Sequence, residues 1–231
     1  VACPWPLETQ ALIDFARGII QHKVFLTPYL KDQAASRALE QPLDMGRIYR
    51  ITSTDQPHTA PPRLSSATDE ELVALLSHKD GWWRGTAQRL LVPRHATGIE
   101  PRLRGLLAPG TPEVTRLHLR WTLEGLGRLT QEDALAAMRD PVPSVRAAGL
   151  RLSEPFLSTG DLRARAAELI DDPARQVRIQ AAASLGQCPD PADIAPLHAA
   201  IARHGDDRIV LSAAISSLSG READMLKLLL N

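Results

Sequence analysis

The sequence predicts an all-α fold over residues 61–231, a right-handed α-solenoid of stacked antiparallel helix pairs, preceded by a short α+β segment over residues 1–60. Three observations carry this reading. Apolar residues after position 61 recur at spacings of three and four, and short breaks rich in Pro, Gly and Asp interrupt them about every ten to fifteen residues. Two of the breaks share one wording, Asp140-Pro141-Val142-Pro143-Ser144-Val145-Arg146 and Asp172-Pro173-Ala174-Arg175-Gln176-Val177-Arg178, both D-P-x-x-x-V-R and 32 residues apart. Aromatics make up only 4% of the chain. That composition, with Ala, Leu and Arg abundant, suits close helix packing better than a β-sandwich.

The elements follow in order. Thr27-Pro28 places a cap and a first-turn proline before a helix running to about Leu39. Gly46 to Ile51 alternates as a strand. Such a strand needs a partner, either Leu12 to Phe15 and Ile19 to Phe25, or a sheet upstream. The Pro- and Ser-rich stretch from Gln56 to Ser66 reads as a linker. Thr68 then caps a helix whose first turn holds Glu70 and Glu71 and whose stripe is Leu72, Val73, Leu75 and Leu76. A second helix carries Trp82, Trp83, Ala87, Leu90 and Leu91. Further pairs are expected at 99–107 with 111–126, 130–139 with 143–157, 160–171 with 174–186, and 191–204 with 207–218. A last helix, 221–230, has no partner, which implies that at least one repeat is missing at the end.

The repeat explains itself physically. Asp-Pro stops the first helix and starts the second, the Val points between helices, and small residues such as Ala181 and Ala182 allow close stacking. Arg84 and Arg116 hold the place of Arg146 and Arg178, giving steps of 32, 30 and 32. A pair cannot bury its own face, so neighbours supply the cover. This is the grammar of helix-pair repeats of the HEAT type.

Composition bounds the function. A chain of 231 residues buries a core without a metal or disulfide staple. The 27 basic and 27 acidic residues cancel and give no broad field for nucleic acid or anionic lipid. No apolar run approaches the length of a membrane span, and Val1 to Pro6 lacks the pattern of a signal peptide. A chain opening on Val1 is expected to be cut from something longer, which leaves the compartment open. Cys3 and Cys188 lie in no chelating or haem-attaching spacing, and the seven histidines form no ligand pattern. No metal or cofactor is expected.

The segments Ile13 to His22, Leu26-Thr27-Pro28-Tyr29-Leu30 and Gly46 to Ile51 resemble the closing blade of a glucose/sorbosone-dehydrogenase-like β-propeller. They are most like the large bacterial membrane-bound dehydrogenase proteins, in which such a propeller is followed by HEAT repeats and a c-type cytochrome module. Asp69 to Leu91, with Gly81-Trp82-Trp83-Arg84, and Arg116 to Leu126 resemble that family's repeats. The resemblance implies an exported or periplasmic parent with dehydrogenase chemistry. Ala16 replaces the Tyr of the family's D-x-Y-R-G, residues 1–10 do not resemble the preceding strands, and most of the propeller and the haem-attachment motif are missing, so that chemistry cannot reside in these residues.

Candidate sites remain. The arginines at 84, 116, 146 and 178 form either an anion-binding edge or, more simply, a structural ladder in which each meets an Asp or a helix-end carbonyl. Glu124 and Glu154 each follow their repeat's Arg by eight positions. They read as an acid/base pair or as a solvated face near Arg120 and Arg151. Of the adjacent Trp82 and Trp83, one packs inward and the other faces a neighbour, the solvent or a partner. Trp82, Trp83, Arg120, Glu124, Arg151 and Glu154 are therefore the candidate partner contacts. The expected function is a non-catalytic protein-interaction or inter-domain scaffold, its concave side lined by the second helices and its partner a protein or a neighbouring domain. One alternative is a spacer fragment of a quinone- or haem-linked sugar or alcohol dehydrogenase. A HEAT-repeat nucleic-acid-binding protein is another, and it needs a basic groove. No small-molecule substrate is indicated.

Overall fold

The computed structural model describes residues 9–14, 19, 22–41, 46–52, 63–108, 110–158, 160–188 and 194–230. The chain divides into two units, Val1–Pro62 and Arg63–Asn231. Cys3, the propeller-like residues from Phe15 to Gly18, the linker to Pro62 and the expected helix start at 191–193 lie outside the described residues.

In the first unit, β1 (Thr9–Asp14) pairs antiparallel with β2 (Arg47–Thr52), in a register that sets Ile13 opposite Ile48. Leu12 to Asp14 thus do partner the strand, and of the expected second partner Lys23–Phe25 does not. Lys23–Phe25 is a 3-10 turn, because His22 Nδ1 accepts the Val24 amide at 3.2 Å and closes the backbone into a cap. Helix α1 (Pro28–Ser36) starts at Thr27, whose hydroxyl accepts the Leu30 amide at 3.3 Å.

The second unit is helical. Its elements are α2 (Asp69–Leu75), α3 (Gly81–Leu91), α4 (Glu100–Gly105), α5 (Glu113–Gly125), α6 (Gln131–Met138), α7 (Pro143–Ser153), α8 (Gly160–Glu168), α9 (Arg175–Leu185), α10 (Ala195–His204), α11 (Arg208–Ser216) and α12 (Glu222–Leu230). Thr68 and Glu71 make a reciprocal capping box at α2, and Thr130 and Asp133 make another at α6. The expected helix at 99–107 is shorter. Thr97–Ile99 is a 3-10 turn that feeds α4, which ends at Gly105. The ends of the helices expected at 143–157 and 160–171 likewise tighten into 3-10 turns, Glu154–Phe156 and Leu169–Asp171.

Helices α2 and α3, α4 and α5, α6 and α7, α8 and α9, and α10 and α11 pack as successive pairs. The second member of each pair also packs on the next, so α3, α5, α7, α9 and α11 form one row, and α12 lies against α10. Val145 and Val177 are both fully buried. Close packing within the α6–α7 pair requires Gly149, where a Cβ would stand 2.6 Å from the Met138 amide nitrogen and 2.8 Å from the Ala137 carbonyl carbon. The apolar core falls into two sets, one from Leu64 to Leu123 and one from Ala134 to Met225.

Candidate functional site

The arginine ladder is built from the turns between paired helices. Arg146 Nη1 donates to the carbonyls of Asp140 and Pro141, both at 2.9 Å. Arg178 repeats this on Asp172 at 2.8 Å and Pro173 at 3.1 Å, and Arg84 on His78 at 2.6 Å and Lys79 at 2.9 Å. Each guanidinium thus ties down carbonyls five and six residues back, which the helix that follows cannot satisfy. The turn is held from its other side as well. Asp140 accepts the Val142 amide at 2.9 Å and Asp172 the Ala174 amide at 2.8 Å. His78 Nδ1 does the same for the Asp80 amide at 3.0 Å. His78 therefore takes the aspartate's place in the first copy of the turn.

Two rungs also reach forward to the next pair. Arg116 Nη2 bonds Asp140 at 3.1 Å, and Arg146 holds Asp172 through Nε and Nη2 at 2.8 and 2.9 Å. Burial alone would raise the Asp172 carboxyl, but the Arg146 bonds and the Ala174 amide hold it below the usual carboxylate range. These guanidiniums are engaged inside the repeat.

The two carboxylates differ in their surroundings. Glu154 accepts from Arg151 and, at 2.8 Å, from the Ser184 hydroxyl of α9. Glu124 is exposed, and its charge acts on Arg151 together with that of Glu154. The Glu154 bond, with Glu154's charge and then Glu124's, raises Arg151 further above its ordinary range. Arg120 is not on that face. It is 7% exposed, so its guanidinium is not offered to a partner, and its Nη1 lies 3.5 Å from the Arg116 carbonyl while its Nε has no acceptor. A charged residue inside a helical stripe ordinarily faces solvent, and helix α5 instead turns this one inward.

Trp82 is 63% exposed and meets Trp83 edge to face, with centroids 4.7 Å apart. Trp83 is half-buried and in turn packs edge-on to His78, whose ring is fixed by the Asp80 amide. Trp82 is thereby a large exposed apolar surface resting on Trp83. Val114, also exposed, occupies the same place in α5 that Trp82 occupies in α3, two residues before the ladder arginine. Further along the row a shallow groove of about 360 Å³ opens between the first turns of α7 and α9, lined by Pro143, Ala174, Arg175, Gln176 and Ile179. Arg175 is braced there by Asp207, whose carboxyl is held well below the usual range by that arginine and by the Ile209 and Val210 amides.

Behind this edge, His118 Nδ1 meets Gln88 Oε1 at 2.8 Å. An amide oxygen only accepts, so Nδ1 carries the proton. Burial, then the nearby Arg84 charge, pulls His118 below the usual imidazole range, which keeps it neutral and structural at pH 7. Among the described residues no group of three His, Cys, Asp or Glu is placed to hold a metal ion, and no helix is long and apolar enough to cross a membrane. Val114 and the 143–179 groove were missed by sequence reasoning. Aligning all repeats on their arginines, rather than the two clearest, would have picked out the shared position of Trp82 and Val114.

No protein-family model, curated protein or solved structure matches the chain.

Proposed function

We propose that residues 61–231 are a right-handed solenoid of HEAT-like helix pairs that serves as a non-catalytic scaffold, binding a protein or a neighbouring domain along its second-helix row. The observation that carries this reading is the continuous row α3, α5, α7, α9 and α11, which brings Trp82, Val114 and the Pro143–Ile179 groove onto equivalent first turns. Aromatic anchors held rigid before binding lose little side-chain entropy on docking, and such residues dominate interface energetics. The ladder arginines and Glu154 already make hydrogen bonds within the repeats, which supports shape and apolar contact as the basis of recognition.

Inter-domain spacing in a dehydrogenase-like parent, as the resemblance implies, is one form of the same reading. A photo-crosslinking amino acid at Val114 or Gln176, compared with one at Ala136 on α6, tests it in the source cells. Discrete protein adducts are expected from 114 and 176 and not from 136, and they should weaken with Trp82→Ala. Equal labelling from both faces, or none from the row, would sink the proposal.

A further inference from the structure

We infer that the helical unit is two cooperative blocks, residues 63–129 and 130–230, joined across a seam rich in polar contacts where α4 and α5 meet α6 and α7. The two can therefore open or bend against each other while each stays folded. This goes beyond the scaffold reading and does not depend on what binds. The buried apolar residues form two separate sets, ending at Leu123 on one side and beginning at Ala134 on the other. At every later step the core is continuous, since Leu150, Val177, Ala181, Ala214 and Met225 belong to one set.

Beside the apolar Leu119, Leu123 and Val145, four polar side chains are buried at the break: Thr115, Arg120, Thr122 and Asp140. Arg120 marks the reason. It stands four residues after its ladder arginine, where the following repeats bury Leu150 and Ala182 without exposure. A guanidinium with an unpaired Nε thus occupies what is a core position in the repeats that follow.

The contacts that cross the seam are directional. Arg104 Nη1 bonds Asp133 at 2.7 Å, Arg116 bonds Asp140 at 3.1 Å, and Glu113 accepts from Ser144. Polar bonds of this kind exchange for water at small net cost, whereas parting an apolar interface exposes area that water does not compensate. The covalent link is the short connection from Leu126 to Thr130, in which Gly127 has φ +65° and Arg104 also holds the Arg128 carbonyl at 2.7 Å. Trp82 and Val114 lie on one side of the seam and the Pro143–Ile179 groove on the other. Motion there would change the spacing between them.

Tryptophans make the test direct. Trp82, Trp83 and Trp121 all lie in the first block, so in a Trp5→Phe background fluorescence reports that block while far-UV circular dichroism reports both. Urea unfolding of the full chain should give two non-coincident transitions by the two probes, and Arg120→Leu, which supplies the residue found at position 150, should merge them. Native-state hydrogen exchange keeps the question open to refutation if that variant does not fold. The slowest amides of α5 and of α7 should exchange through openings with different urea dependence. Coincident curves in the parent, two transitions persisting in a folded Arg120→Leu, or one shared global opening for the slowest amides of both helices would overturn the inference.

Discussion

Asp172→Ala is expected to destabilise the helical unit far more than any exposed charge deletion. The carboxylate side chain is 5% exposed and its partner Arg146 12% exposed. Its two oxygens take Arg146 Nε and Nη2 at 2.8 and 2.9 Å, and one of them also takes the Ala174 amide at 2.8 Å. Truncation leaves Arg146 where it is, because Nη1 still holds the Asp140 and Pro141 carbonyls. Two N–H groups then lose their acceptors in a site that water barely reaches. Breaking a buried pair from one side costs about 3 to 5 kcal/mol, most of it the desolvation of the partner left behind. For a unit of this size each kcal/mol moves the melting temperature by roughly 2 to 4 °C, so a fall of about 6 to 20 °C is expected.

Thermal unfolding followed by circular dichroism measures it, with Asp224→Ala as the control. Asp224 pairs with Lys227 at 2.9 Å, the two side chains being 66% and 74% exposed, and its removal should leave the transition unchanged. Arg146→Met combined with Asp172→Ala should recover at least half of the loss, since no buried cation is then left unpaired. A fall of under about 2 °C for Asp172→Ala, or a double variant worse than the sum of its singles, would refute the reasoning.

Two further outcomes follow from the same packing. Val177→Asp puts an unpaired charge where exposure is nil, and should cost several kcal/mol against roughly 2 kcal/mol for Val177→Ala; an unchanged melting temperature for the Asp variant would break the alignment of Val145 with Val177. Stability should also fall in acid with a defined sign. At Asp133 and Asp172 burial opposes ionisation, but the bonds from Arg104 and Arg146 outweigh it and hold both below the ordinary carboxylate range. Their contribution is therefore fully present above the unfolded-state value of about 4 and is lost as pH drops below it toward the folded-state values. A pH series of urea midpoints should be level in this respect from pH 7 to 5 and decline below 4, less steeply in Asp172→Asn; equal slopes would remove Asp172 from the account.

The repeat was legible because its turn is chemically explicit. A proline cannot continue the helix before it, an aspartate can accept the amide two residues on, and an arginine six residues later can reach back to the exposed carbonyls. That wording gave the helix pairs of 130–186 to within a few residues. The same turn in the first pair escaped the pattern because a histidine nitrogen at position 78 performs the aspartate's task with no Asp-Pro to announce it. The strand pairing was half legible. Alternation identifies β2, but nothing in the local sequence at Thr9–Gln10 distinguishes its partner, and the His22 cap that makes Lys23–Phe25 a turn depends on a bond two residues long rather than on apolar spacing.

Arg120 shows why the candidate contacts were harder to read than the fold. In the sequence it sits four residues before Glu124, a spacing that ordinarily places two opposite charges on one solvated helix face. Glu124 is indeed exposed, yet Arg120 faces inward, because α5 is the helix at which one apolar set stops before the next begins. Burial of a charge is a property of what packs against it, and here burial pulls the guanidinium below its ordinary range, with Arg116 adding to the effect and the charge of Asp140, twenty positions further along, only partly offsetting it. Trp82 is readable in part, since of two adjacent tryptophans on one helix only one can pack inward. A tryptophan in a helical stripe argues for the core, whereas its place at the first turn of α3, ahead of the ladder arginine, is where each second helix emerges from its turn. The residues that hold this fold together are recognisable by what they repeat, and those that set it apart, Trp82 at the edge and Arg120 in the seam, are recognisable by where they break the repeat.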